Sequence, residues 1–169
     1  MDLLDFQAQD LYFEQPDIDG VAELLAIASS SYGTEEAEPA LLQAYALAPQ
    51  SLNVLVALNR FYYYQHRLAE ALAISEQALA IIKQPLDFPD DWQAVELEHI
   101  TKADASQLTQ IRLYLFTLKS IGFLNMRLER LPLSIAIFEK LISLDDCNRL
   151  GAVDLLALAK ERYLVHEKH

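Results

Sequence analysis

Residues 59–80 read NRFYYYQHRLAEALAISEQALA, and their spacing decides the fold. Tyr62, Tyr63 and Tyr64 precede a polar break at Gln65, His66 and Arg67. Ala71 and Ala78 follow, two helical turns apart and therefore on one helix face. The same arrangement occurs upstream. When EAEPALLQAYALAPQ (36–50) is set over EALAISEQALAIIKQ (70–84), Ala37 falls on Ala71 and Ala44 on Ala78. The two offsets are equal, and Leu24 falls on Leu58 at the same distance. Methyl side chains at such points let two helices approach closely where larger groups would overpack. Bulky aromatics then fill the volume around the crossing.

A third match, SIGFLNMRLERLPLSIAIFEKLISLDD (120–146), brings Ile121, Gly122, Asn125, Ser134, Phe138 and Leu141 into line. Its Ser134 lies nearly twice as far from Ala71 as Ala71 lies from Ala37, so an insertion separates the second match from the third. The inserted stretch carries Pro85, Pro89 and two acidic clusters. Lys83–Asp90 reads as a loop, and Asp90 or Asp91 as the cap of a short helix running through about His99. From about Ala105 an apolar spacing continues without a breaker to Leu128, which predicts an unusually long helix.

The interval from Ala37 to Ala71, with these small and aromatic positions, resembles the tetratricopeptide repeat, a pair of antiparallel helices A and B with a period of about 34 residues. In the second repeat Leu55, Leu58, Asn59, Tyr62, Ala71 and Ala78 fall on the family's positions, with Asn59 in place of the usual Gly and Ser75 in place of a bulky residue. The first supplies Val21, Leu24, Leu25, Ala28, Ala37, Leu41, Ala44 and Pro49, with Ala28 where Tyr is expected. In the third, Asn125 stands at the Tyr position. The resemblance implies an all-α, α-α superhelix of stacked helix pairs in one domain: an N-terminal arm (1–16), repeats at 17–50, 51–84 and 105–146, an insertion (85–104) and a C-terminal capping helix (148–166). That last helix carries Leu150, Val153, Leu156, Ala157 and Tyr163 at helical spacing.

In that family the side of helix A turned away from its own helix B lines a concave groove. Tyr63 and Tyr64 are rotated by about 100° and 200° from Tyr62, so the three cannot share one core. Carried over position by position, the groove is expected to comprise Asn53, Val56, Arg60, Tyr63 and Tyr64 with Phe116, Lys119, Phe123, Met126 and Arg127, and Arg112 farther along. The first repeat adds little beyond Ala22, Ala26 and Ser29. Tyr and Arg favour partner contacts, and an arginine can hold a carboxylate with two parallel hydrogen bonds. The expected guest is a segment of another protein with apolar anchors and at least one acidic group. The bland alternative is that the insertion or the N-terminal arm covers the tyrosines. A subfamily of these repeats clamps the C-terminal carboxylates of heat-shock chaperones. The corresponding positions here hold Ala22, Ala26, Ala57, Phe116 and Ser120, none of which binds a carboxylate in that way.

The totals narrow the classes further. The chain of 169 residues is 53 % hydrophobic with 4 Gly and 6 Pro, a folded profile. Net charge is −12, which disfavours a nucleic-acid partner. A single cysteine, Cys147, excludes an internal disulfide and a multi-thiolate metal site. No apolar run approaches the roughly 18 residues of a bilayer span, and MDLLDF lacks the basic residues of a signal peptide. The expectation is a cytoplasmic protein without membrane contact. There is no phosphate loop, nucleophile elbow or dinucleotide fingerprint. Glu96, Glu98 and His99 read as solvated charge, and His166 and His169 lack a third metal ligand, so neither a cofactor, a metal nor a catalytic residue is expected. The expected function is a non-catalytic scaffold or chaperone-like adaptor. The alternatives are a small acidic chaperone similar in layout to those of type III secretion, a self-assembling structural protein or homodimer, and, least favoured, a hydrolase.

Overall fold

A computed structural model describes residues 18–168 of the chain; the expected N-terminal arm (1–16) and His169 lie outside the described residues. The described residues form eight α-helices and no strand: α1 (Val21–Ser30), α2 (Ala37–Leu47), α3 (Leu52–Tyr64), α4 (Leu68–Lys83), α5 (Leu97–Thr101), α6 (Leu108–Arg127), α7 (Leu131–Leu144) and α8 (Ala152–Glu167). The chain is all-α. It divides into two compact units, one ending at Ile81 and the other beginning at Ile82, a boundary within the last turn of α4.

In the first unit α1 packs on α2 and α2 on α3. The four alanines that recur at equal offsets, Ala37, Ala44, Ala71 and Ala78, are all completely buried. Ser51 starts α3, its Oγ accepting from the Val54 amide at 3.4 Å. The helix ends in a left-handed residue, His66 (φ 58°), which lets the Arg67 amide reach back to the Tyr62 carbonyl and the His66 amide to that of Tyr63. The α3–α4 pair is joined in its interior by Asn59, whose Nδ2 donates to the Ala71 carbonyl at 2.9 Å and to Ser75 Oγ at 2.7 Å.

The α6–α7 hairpin of the second unit repeats this construction with different parts. Glu129 (φ 62°) ends α6 as His66 ends α3: the Arg130 amide donates to the Asn125 carbonyl and the Glu129 amide to that of Met126. Gly122 stands where Asn59 stands, Ser134 where Ala71 stands and Phe138 where Ser75 stands, all at one constant offset. Ser134 Oγ donates to the Gly122 carbonyl at 2.9 Å, and the Phe138 ring occupies the space beside Gly122. One pair is a large polar residue facing a small one; the other is no side chain facing a ring. The exchange accounts for Asn59 and Ser75 together: Asn59 needs the room that Ser75 leaves.

The breaker-free run from Ala105 is one 3₁₀ turn (Ala105–Gln107) followed by the 20 residues of α6. The C-terminal helix begins at Ala152, after Gly151 at φ 70° and Asn148 at φ 49°. It packs on α7.

The helix expected from Asp90 or Asp91 through His99 does not form as one piece. Asp91 caps only a 3₁₀ turn, Trp92–Ala94, by accepting from the Gln93 amide at 2.9 Å, and α5 starts afresh at Leu97. Val95 causes the break. It is extended and fully buried, and its carbonyl accepts from Lys140 Nζ of α7 at 3.0 Å. Burying a valine is worth about 1.5–3 kcal/mol, more than one continued helical turn of exposed residues. Lys83–Asp90 (2.9 Å), Gln107 Nε2 to the Pro85 carbonyl (3.1 Å) and Gln110 Nε2 to the Ile82 carbonyl (2.8 Å) hold the rest of the insertion against the second unit.

One buried polar group in this unit is unsatisfied. Asn125 donates from Nδ2 to the Ile121 carbonyl at 2.8 Å, while its Oδ1 has no partner among the described residues. A buried orphan acceptor costs about 1–3 kcal/mol. Asn125→Leu keeps the volume and removes the orphan. It is expected to raise stability by about 1 kcal/mol in urea unfolding, and a loss of stability would show that Asn125 is satisfied in solution.

Candidate functional site

The residues expected to form a groove belong to both units and are described within each. On α3, Val56 is buried, Asn53 and Tyr63 are half-buried, Arg60 is exposed and Tyr64 is 52 % exposed. The guanidinium of Arg60 lies 5.5 Å from the Tyr64 ring centre, and the Tyr63 and Tyr64 rings meet edge to face at 5.3 Å. The arrangement follows from helical spacing, since residues four apart share a face. On α6, Phe116 and Met126 are buried, Lys119 and Phe123 are half-buried, and Arg112 and Arg127 are exposed. Lys119 Nζ lies 6.0 Å from the Phe116 ring centre and the Arg127 guanidinium 6.0 Å from that of Phe123. Asn53, Tyr63, Tyr64, Phe116, Lys119 and Phe123 each engage further partners as well. Cation–ring contacts at such exposed sites are worth about 0.5–1 kcal/mol each. They mainly hold the cations over the helix surface.

The first unit also contains a pocket of about 430 Å³, within the size range of small-ligand sites. Leu25, Ala28, Leu41 and Ala57 are its apolar walls; Ser29, Tyr32 and Arg60 supply its polar atoms. Tyr32 is held by an edge-to-face contact on Phe61 at 5.9 Å. The sequence assigns Arg60 and Ser29 to the expected groove rather than to this pocket and gives Tyr32 no role, because SSSYG (29–33) reads as the end of a helix. The available signal was a large aromatic in a turn, before a glycine (Gly33, φ 90°), where no helical spacing calls for one.

A second cation in this unit is committed elsewhere. Arg67 binds Glu70 through two hydrogen bonds (2.8 and 2.6 Å), pairs with Glu38 at 2.8 Å and lies 4.7 Å from the Tyr62 ring centre. Arg67 holds the Glu70 carboxyl below its usual range. Burial, reinforced by Glu70, pushes the Tyr62 phenol up. Arg60, by contrast, has no carboxylate partner among the described residues.

The Glu96–Glu98–His99 cluster is occupied structurally. His99 Nδ1 accepts from the Glu96 amide at 2.9 Å at the start of α5, and Glu96 lies 3.4 Å from Lys140 Nζ. Phe88 packs edge to face on Tyr114 at 5.1 Å, where burial and then Asp91 push the phenol up to about 12. His166 is hydrogen-bonded to Glu129 at 2.8 Å. No three His, Cys, Asp or Glu side chains gather as metal ligands among the described residues. No helix among them is long and apolar enough to cross a membrane.

Comparison with known proteins places the chain without naming an activity. It is 40 % identical over 161 residues to an uncharacterized 19.8 kDa protein in the nifW 5′ region of Azotobacter chroococcum mcd 1, covering 95 % of this chain and 90 % of that protein. The chain belongs to that protein's family. Because the match leaves so little of the chain uncovered, it takes in both units and the insertion. No family model matches the chain, and no solved structure does.

Proposed function

We propose that this chain is a non-catalytic, cytoplasmic binding module with a tetratricopeptide-like superhelical arrangement. As scaffold or chaperone-like adaptor, it grips a segment of another protein that offers an apolar anchor and a carboxylate. One observation carries the reading: an apolar pocket between α1, α2 and α3 has at its edge an arginine without a carboxylate partner among the described residues, beside an exposed tyrosine. Such a pocket rewards a guest that buries a side chain and presents an acid next to it, because the guanidinium binds a carboxylate bidentately. The repeated alanine spacing and the matching helix ends at His66 and Glu129 support the repeat arrangement.

Arg60→Glu and Tyr64→Ala are expected to lower partner capture at least tenfold in affinity purification from the native cell, with helicity by circular dichroism unchanged. Full retention of capture by both variants refutes the reading. Because the relative lies in the nifW 5′ region, the nifW product is the first protein to test directly. Self-assembly is a second reading, favoured by α8, where Val153, Leu158, Leu164 and Val165 are all more than 40 % exposed. A sedimentation coefficient that rises with concentration and falls in Leu164→Glu would support it.

A further inference from the structure

We infer that this chain's own residues 1–17 are a ligand for the α1–α3 pocket and compete there with the partner segment; the inference rests on the function proposed above. The pocket asks for an apolar anchor beside a carboxylate, since its walls are aliphatic and its edge carries Arg60. Residues 1–17, MDLLDFQAQDLYFEQPD, carry five carboxylates and no lysine or arginine, and twice set an aromatic ring next to an acid, at Asp5-Phe6 and Phe13-Glu14. The charge is therefore complementary to the one guanidinium at the pocket, which lacks an acidic partner among the described residues.

The place where this segment ends makes the contact short-range. It joins the described chain at Ile18, three residues before α1, and Leu25 and Ala28 of α1 line the pocket. Phe13 precedes the first residue of α1, Val21, by eight residues, a tether that reaches at most about 3.3–3.6 Å per residue. A short tether sets an effective concentration on the order of millimolar. A site with an intrinsic dissociation constant of about 0.1 mM is then occupied in cis roughly ten to one. A partner must displace the segment, so free protein does not present an open apolar pocket to unrelated chains.

The test uses a fluorescent synthetic peptide of residues 1–17 with three full-length proteins: the unaltered chain, a Phe6→Ser/Phe13→Ser variant, and that variant with Arg60→Glu added. The peptide is expected to bind the Phe6→Ser/Phe13→Ser variant about tenfold more tightly than the unaltered chain, and to lose binding when Arg60→Glu is added. Equal affinity for the first two proteins, no binding to either, or indifference to Arg60→Glu overturns the inference. So does an unaltered chain that sediments as a dimer which Phe6→Ser/Phe13→Ser dissociates, because the segment then docks on a second copy. The two proposals fail separately. If the peptide pattern is absent while Arg60→Glu still loses the captured partner, only self-occupancy falls. If the peptide pattern holds but neither the unaltered chain nor the Phe6→Ser/Phe13→Ser variant captures a partner, self-occupancy stands and the partner function falls.

Discussion

Gly122→Asn is expected to cost the α6–α7 hairpin about 3 kcal/mol or more, the upper end of overpacking penalties. A Cβ at this position would lie 2.8 Å from Phe138 Cε1 and 2.9 Å from Ile137 Cγ2, closer than carbon atoms pack, and both residues are buried. Neither ring nor branched chain has free volume to retreat into, since protein interiors are packed like organic crystals. Phe138→Ser alone should cost a similar amount, about 3–5 kcal/mol, by removing a buried ring and leaving a cavity. Made together, the two substitutions copy the Asn59–Ser75 pair of the first unit, with an amide entering the space the ring has left. The double variant should therefore be more stable than the sum of the single losses predicts, by a coupling of about 2 kcal/mol. Urea unfolding of the four proteins measures this. Simple additivity would mean that the size exchange between the two hairpins is coincidental.

Asn59→Asp is the counterpart in the first unit, with an expected loss of about 3–5 kcal/mol at neutral pH. The substitution changes almost no volume. It replaces an amide that donates to the Ala71 carbonyl and to Ser75 Oγ by a carboxylate that can donate to neither, in a site with no solvent exposure. The introduced carboxyl has no cation to pair with in those contacts, so burial raises its pKa in the folded state above the unfolded value. The folded variant then binds more protons than the unfolded one, and its stability must rise as pH falls through the raised pKa. Thermal melts from pH 7 down to about pH 4, the unperturbed carboxylate range, should show the variant recovering relative to the unaltered chain. A flat difference across that range would place Asn59 in contact with water rather than in the α3–α4 interior.

Both effects trace to one pair of facing positions, where Gly122 and Phe138 keep the expected repeat pattern and Asn59 and Ser75 depart from it. Asn59, Ser75 and Gly122 each look anomalous or ordinary when read one at a time. They become explicable only as pairs across a hairpin, twelve to sixteen positions apart in the chain. The groove residues show a similar division. That Arg60 and Tyr64, or Phe123 and Arg127, stand together was readable, because four residues make about one turn. The pocket beside Arg60 was not, because Leu25, Tyr32 and Leu41 come from separate elements whose approach no local spacing encodes.

Chain order alone determined the helical class, the spacing of the buried alanines, the loop after α4 and the long α6. Each is written in intervals of three, four and seven positions or in the placement of proline, and helices form by contacts between near neighbours. Only the folded molecule decided where the insertion helix breaks and, among the described residues, that the Asn125 Oδ1 is left without a partner and that the arginine at the pocket has no carboxylate beside it. Val95 is pulled out of a helix by Lys140, far along the chain on α7, and the burial that rewards such a contact exists only once distant helices have packed.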